Sequence, residues 1–393
     1  MSKLILISNP GSASRKYALY DDTNLIANLH FELDEEDVIC ELKDADGKKR
    51  KVDIDIEKLA DAATEVSKIL EREKFCSDKN PLEAIIIRVV APGDYFTENH
   101  VVDDEFMRQL EIAAERNPVH VPNTMNEIKL LREAFAGIKI VAISDSAFQW
   151  QKPDTMKYYS FDINLANQFE IKRYGYHGLS NAFVSRYMRE HNILPQKMIV
   201  MHLGSGASVS AILNGRAMDT SMGYTPLDGL AMSTRMGTID AMAAIELKKA
   251  LAIKDDTEYE LYLNKKCGLL GLSGVSDDLR EVIKKRDEGY LSAAMAHSIF
   301  IYRIQAYIGQ MAASLAGADA IVFTGTIGER SEEIRRAVTQ KLGYLGFVLD
   351  PIRNIQAEFK DRHAIISRPE SKPIYIVQTD ETAQMIYDAE KLI

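Results

Sequence analysis

One pattern occurs twice in this chain and constrains its fold more than any other. Residues 198–201 form an apolar run that breaks into Gly204-Ser205-Gly206-Ala207-Ser208. A second strand follows, then the tight turn Asn214-Gly215 and a third strand. In the first half, the apolar run 3–8 leads into Asn9-Pro10-Gly11-Ser12-Ala13-Ser14, a strand at 17–20, a turn at Asp21-Asp22 and a strand at 25–33. Glycine after a strand lets backbone approach a ligand closely, and consecutive peptide N–H groups in such a turn suit an oxyanion. A lone copy reads as an ordinary hairpin closed by an Asn-Gly turn. Two copies, one per half, read as a duplicated architecture.

The remaining segments alternate between strand and helix. Helical spacing marks 57–73, 103–116, 125–136, 178–190, 239–251, 277–288, 331–342 and 381–391. Short apolar runs at 84–90, 139–143, 318–324 and 373–377 read as buried strands, and 38–42 with 51–54 would complete the first sheet. Residues 292–316, rich in alanine and methionine, suit a buried or interface helix. The class is therefore α/β. At 393 residues the chain has length for two domains, with the crossover near the start of 149–173, a stretch of weak periodicity that holds the one tryptophan, Trp150.

A net charge of −10 argues against nucleic acid or an anionic membrane as the main partner, while leaving local anion pockets open. Cys40, Cys76 and Cys267 are scattered, without CxxC or zinc spacing. The opening apolar run of four residues is too short for a signal-peptide core, and no run is long enough to span a bilayer. The expectation is a soluble cytoplasmic protein.

Several residues sit where packing alone explains them poorly. Arg88 interrupts the strand IIIRVV, where a charge is costly unless it is paired or meets a ligand. A buried structural ion pair and an anion-binding role both fit. Arg235, in the non-periodic MSTRMGT, could grip a carboxylate or phosphate through two donors. Asp145 ends a strand, as a ligand contact or a helix N-cap. His177 stands between Tyr176 and a glycine just ahead of a helix, as a titrating group or a structural one. Gly325-Thr326-Ile327-Gly328 could present a helix N-terminus to a nucleotide, but GxxxxGK[ST] is absent. Taken together, the set suits phosphoryl transfer.

These residues also carry a resemblance. SNPGSASRKYALY, VHVP, RYGYHGLS, HLGSGASVSAILNGRAMDTSMGYTPLDGLAMSTRMG, SGVSDDLR, FTGTIGE and TDETAQMI resemble, in order, the motifs of the acetate kinase (acetokinase) family, within the actin, heat-shock ATPase and sugar-kinase superfamily. The resemblance implies two duplicated actin-like (ribonuclease H-like) domains with mixed central sheets and an inter-domain cleft. Residues 1–148, with helix 381–393 packing back, would form the first, and 149–380 the second, on the nucleotide and dimer side. It implies that Arg88 and Arg235 neutralise the phosphoryl group and orient the carboxylate acceptor, that His177 hydrogen-bonds the transferring group, and that Asp145 lies between acceptor and metal. Asn9 and Glu381 would hold Mg²⁺, with Mn²⁺ as the alternative. Val90, Val119, Tyr176 and Pro226 would shape the acetate methyl pocket. Ser12, Lys16, His202, Gly204, Ser205 and Gly206 would serve the donor phosphates, and Asp278, Arg280, Gly325, Thr326, Ile327 and Gly328 the adenosine. The partners implied are acetate or acetyl phosphate, ATP or ADP, and a second copy of the chain.

The departures from that pattern fall mainly on the nucleotide side. The family's L-G-N-G reads Leu203-Gly204-Ser205-Gly206, R-S-G-D reads Arg235-Met236-Gly237-Thr238, and G-G-I-G-E-N reads Gly325-Thr326-Ile327-Gly328-Glu329-Arg330. After the strand arginine, R-V-V-H-G-G reads Arg88-Val89-Val90-Ala91-Pro92-Gly93. Thr326 motivates an alternative in which a narrowed purine pocket takes pyrophosphate or another nucleotide. Propionate is the alternative acceptor, and a nucleotide-binding switch that transfers no phosphate is the non-enzyme alternative.

Overall fold

The computed structural model describes residues 3–11, 14–34, 37–76, 80–118 and 121–393. Contacts divide the chain into two units, Met1–Ala147 with Glu381–Ile393, and Phe148–Asp380. Among the described residues of the first unit, eight strands form one mixed sheet. They are β1 (Leu4–Pro10), β2 (Ser14–Asp21), β3 (Asn24–Asp34), β4 (Asp37–Asp44), β5 (Lys49–Val52), β6 (Leu82–Val89), β7 (His100–Val101) and β8 (Lys139–Ser144), in the order β5-β4-β3-β2-β1-β6-β8-β7. β1 to β5 pair antiparallel in succession, whereas β6 runs parallel to β1 and β8 parallel to β6.

Burial explains the strand compositions. The centre of β6 is covered on both faces, so residues 84–87 read as a continuous apolar run, with the exposed Glu83 before it and Arg88 after it. β3 alternates buried and open positions, as a strand with one solvated face does. Helices α1 (Ala62–Arg72), α2 (Asp104–Arg116) and α3 (Val121–Ala134) flank the sheet in sequence. α1 buries Ala62, Ala63, Val66, Ile69 and Leu70 along one stripe. The Asp103 carboxylate caps α2, accepting from the Phe106 N–H at 2.8 Å. α3 starts ahead of the expected residue 125, because Pro122 suits the first helical turn.

The second unit repeats the design. Its described strands β9 (Lys197–Leu203), β10 (Ala207–Leu213), β11 (Arg216–Thr220), β12 (Ala320–Thr324), β13 (His363–Ile365) and β14 (Ile374–Val377) are ordered β11-β10-β9-β12-β14-β13. β9, β10 and β11 are antiparallel neighbours, and β12 and β14 add in parallel. The run β3-β2-β1-β6-β8 and the run β11-β10-β9-β12-β14 therefore have one topology, so the duplication is structural. Asn214 (φ 52°) and Gly215 (φ 79°) are both left-handed, the geometry of a two-residue hairpin turn.

The helices of this unit are α4 (Ile163–Gln168), α5 (Gly178–Glu190), α6 (Ala241–Ala250), α7 (Asp256–Lys265), α8 (Gly268–Ser273), α9 (Leu279–Asp287), α10 (Leu291–Ser314), α11 (Gly325–Arg330), α12 (Glu332–Thr339) and α13 (Pro351–Ile355). α14 (Glu381–Ala389) belongs to the first unit and packs on β6 and β8. Two features differ from the sequence pattern. Helix starts at once at Gly325, then breaks at Ser331, whose hydroxyl caps α12 by accepting from Ile334 N–H at 3.3 Å. α7 was hidden because it buries only Asn264, so no apolar stripe marks it.

Lys152 is 1% exposed, donating to the carbonyls of Gln149 (3.1 Å) and Tyr174 (2.8 Å). Burial, aided by Arg173 and Lys157, lowers its pKa to about 7. An unfolded lysine titrates near ~10.4. Above pH 7 the unfolded chain thus binds a proton that the folded chain does not, and stability rises with pH. Wild type should gain up to about 1.4 kcal/mol per pH unit from this group between pH 7 and 9, and Lys152→Met should lose that slope. Urea unfolding across the range measures both, and equal slopes would rule out a neutral lysine.

Candidate active site

In the first unit, the ends of three parallel strands bring the expected residues together. Registers align Ser8 with Ile87, Arg88 with Ile143, and Val89 with Ser144, so Asn9, Arg88 and Asp145 lie at one edge of the sheet. Ligand sites in such sheets collect at the carboxyl ends of strands. Arg88 Nη2 donates to Asp145 Oδ2 at 3.1 Å and Nη1 to Glu381 Oε2 at 3.3 Å. Its side chain is 19% exposed and Asp145's 1%. Burial alone would lower the guanidinium's pKa, and the two carboxylates overturn that and hold it above the ordinary value. Arg88 is thus both ion-paired and available at a strand end. Asn9 and Lys16 are cross-strand partners, which puts an amide and an exposed ammonium on one face of the hairpin. Ser12 and Val119 lie outside the described residues, as does the His120 of VHVP. Val90 is half-buried just beyond β6.

In the second unit, His177 and Arg235 meet around Gly206. A Cβ on Gly206 would stand 3.1 Å from His177 Nε2 and 3.4 Å from Arg235 Nη1, so a side chain there would press on both and glycine leaves them room. His177 holds a left-handed conformation (φ 56°) at the start of α5. Its Nδ1 is 3.0 Å from the buried Ser208 hydroxyl, and its ring lies 4.3 Å from that of His202. His202 in turn meets Ser180 Oγ at 2.8 Å. Tyr176 is buried with its hydroxyl donating to the Tyr224 carbonyl at 2.7 Å. Arg235 Nη1 reaches the carbonyl of the buried Pro226 at 3.5 Å. The Arg235 loop owes its shape to backbone bonds, including Leu269 N–H to Met232 O (2.8 Å) and Cys267 N–H to Thr234 O (2.9 Å).

A cavity of about 640 Å³ opens in the second unit between α9 and α11. Ser205, Asp278, Arg280, Thr326 and Ile327 line it, whereas His202, Gly204, Gly206, Gly325 and Gly328 do not. Asp278 caps α9 and takes Arg280 in a two-point pair, Nη2 to Oδ2 at 2.6 Å. Hydrogen bonds from Arg280 hold its carboxyl below the ordinary range. Thr326 is exposed. The space falls within the ~300–1,000 Å³ of small-molecule sites.

Comparison with known proteins gives the family. The Acetokinase family profile matches residues 4–387. The chain belongs to the acetokinase family. An acetate kinase of Thermoanaerobacter pseudethanolicus is 34% identical, covering 99% of this chain and 98% of its own. The crystal structure of Porphyromonas gingivalis acetate kinase superposes with a TM-score of 0.85 at 31% identity over 100% of both chains. A propionate kinase structure from Francisella tularensis gives 0.89 at 29%, over 98% of both. As a member of this family, the protein is a phosphotransferase with a carboxyl group as acceptor.

Three contributors escaped the sequence reading. Glu329 Oε1 accepts from the N–H groups of Gly325 (3.0 Å) and Thr379 (3.2 Å), and burial raises its pKa. Asp228 accepts from Thr238 Oγ1 at 2.6 Å, tying down the residue that departs from the family's carboxylate. Arg330 adds a second guanidinium to the cavity lining. Glu329 and Arg330 read as ordinary charged residues of a helix and Asp228 as one of a loop, signals too common to single out. Asp145→Asn should destabilise the first unit by about 3 kcal/mol, by leaving Arg88 with half its compensation. Hydrogen exchange should show the loss in β6 and β8, and unchanged protection there would refute the pairing.

Proposed function

We propose that this acetokinase-family protein transfers a phosphoryl group reversibly between ATP and acetate, giving acetyl phosphate and ADP. A carboxylate oxygen of acetate attacks the terminal phosphorus in line. The bond to the bridging oxygen breaks, and ADP keeps its electron pair. Such a reaction needs positioning and charge neutralisation rather than covalent help. The observation that carries the reading is Arg88, a half-buried cation held by two carboxylates at the strand ends.

Arg88 and Arg235 neutralise charge on the transferring group, and His177 hydrogen-bonds it. Asp145 orients the acceptor. Val90, Val119, Tyr176 and Pro226 are the residues that the resemblance assigns to the acceptor's methyl, with acetate as the acceptor and propionate as the alternative. Ser12, Lys16, His202, Gly204, Ser205 and Gly206 attend the phosphates, with Asp278, Arg280, Gly325, Thr326, Ile327 and Gly328 at the nucleoside. The oxygens of Asn9 and Glu381 are hard donors that fit Mg²⁺ and, secondarily, Mn²⁺. Bound there, the divalent ion would neutralise phosphate charge. The cavity beside the exposed Thr326 has room for a nucleoside, which supports ATP over pyrophosphate. Three free cysteines, and no helix among the described residues long and apolar enough to cross a membrane, support a cytoplasmic location.

We also infer a homodimer through the second unit. α6 buries none of its residues and exposes Met242 and Ile245, while α10 exposes Leu291 (85%), Met295 and Tyr302. Sedimentation at micromolar concentration should give twice the chain mass, and Met295→Glu should shift it toward monomer; a wild-type monomer would rule the dimer out.

A hydroxamate trap for acetyl phosphate tests the chemistry. ATP should support turnover well above GTP or pyrophosphate, and Arg88→Ala or Arg235→Ala should each lower kcat by at least ~10²-fold. Full turnover by both variants would sink the assignment, and efficient use of pyrophosphate in place of ATP would overturn the donor.

A further inference from the structure

The first hairpin carries a group of buried polar side chains that the reaction does not consume. Glu127, on α3, is fully buried. Its Oε1 accepts from Ser8 Oγ at 2.8 Å and from Tyr17 OH at 2.7 Å. Its Oε2 lies 3.6 Å from Nε of Arg15, itself 3% exposed, and Arg15 Nη1 donates to the Gly11 carbonyl. Burial raises the pKa of both Glu127 and Tyr17.

Register gives this cluster its meaning. Ser8 pairs with Tyr17, and Pro10 with Arg15, on the face of β1 and β2 turned toward α3. Asn9 pairs with Lys16 on the opposite face. The rest of β1 on the buried face is apolar, Leu4 and Leu6 included, so the polarity is confined to the end that bears Asn9. For stability alone, apolar residues of like volume would serve as well or better than a buried ion pair. What they cannot supply is direction: a carboxylate and a guanidinium fix the Ser8 hydroxyl and the Gly11 carbonyl at set points.

We propose that Glu127, acting through Ser8, Tyr17 and Arg15, is a positioning residue that sets the hairpin end carrying Asn9 and Lys16 for a nucleotide polyphosphate. The inference rests on the metal role given above to Asn9 and the donor-phosphate role given to Lys16. Glu127 touches no substrate.

Two variants separate positioning from stability. Glu127→Gln keeps the shape and removes the charge. Arg15→Met with Glu127→Leu replaces the pair by apolar groups and should restore the thermal midpoint that either single change lowers. Both should raise the calorimetric Kd for ADP, with and without Mg²⁺, and the KM for ATP by about tenfold, the scale of one lost polar contact. The KM for acetate should stay within about twofold, since the acceptor pocket lies elsewhere. A doubly substituted chain with wild-type midpoint and wild-type ADP affinity would overturn the proposal, as would equal rises in both KM values. Asn9→Ala and Lys16→Ala serve as the reference. If neither weakens ADP, the donor role fails and the inference with it. If they do and the double variant does not, only the inference fails.

Discussion

A guanidinium inside a buried parallel strand is the constraint on which the first unit depends. Removing Arg88 from water costs several kcal/mol unless opposite charges meet it with good geometry. The two that do are 57 residues later, at the end of β8, and 293 residues later, at the first turn of α14. Folding this half therefore requires the chain to bring its last helix back to its first sheet. The charge that makes β6 an awkward strand is also what gathers a cation and two carboxylates at its end.

The two sheets share one topology but hold their reactive groups by different means. In the first unit charge does the holding: Arg88 by Asp145 and Glu381, and the hairpin end by Glu127 and Arg15. In the second, His177 and Arg235 sit on loops fixed by backbone bonds and neutral hydroxyls, with Gly206 supplying the clearance between them. Backbone-held loops keep their shape whatever the protonation state around them. Ion-paired strand ends can exchange protein carboxylates for a ligand's, because the pairing is already electrostatic.

Much of this was legible in the residues. The paired hairpins announced the duplication, because strand, turn and strand each leave a local signature. Arg88 stood out because charge in an apolar run is rare. What stayed hidden depends on long-range meetings. Glu127 looks like a polar residue on an amphipathic helix, and only the register of β1 with β2 shows that its face is buried. Glu329 looks like a helix residue, yet it binds an amide 50 residues away. The run from α11 to α12 hid for a local reason, since Ser331 as a cap and as a helical residue read alike.

Behind each hairpin's open end lies a buried polar layer, and the two layers differ in kind. Under the second, Ser208, Ser210, Asn181 and Gln149 are linked to one another or to His177 by neutral hydrogen bonds. Under the first lie a carboxylate, a guanidinium and a phenol. Neutral groups are cheaper to bury and do not titrate. Charged groups cost more, but their field reaches past the backbone to the strand end that bears Asn9. Placed where an apolar core would be more stable, such polarity marks the positions at which orientation matters more than stability.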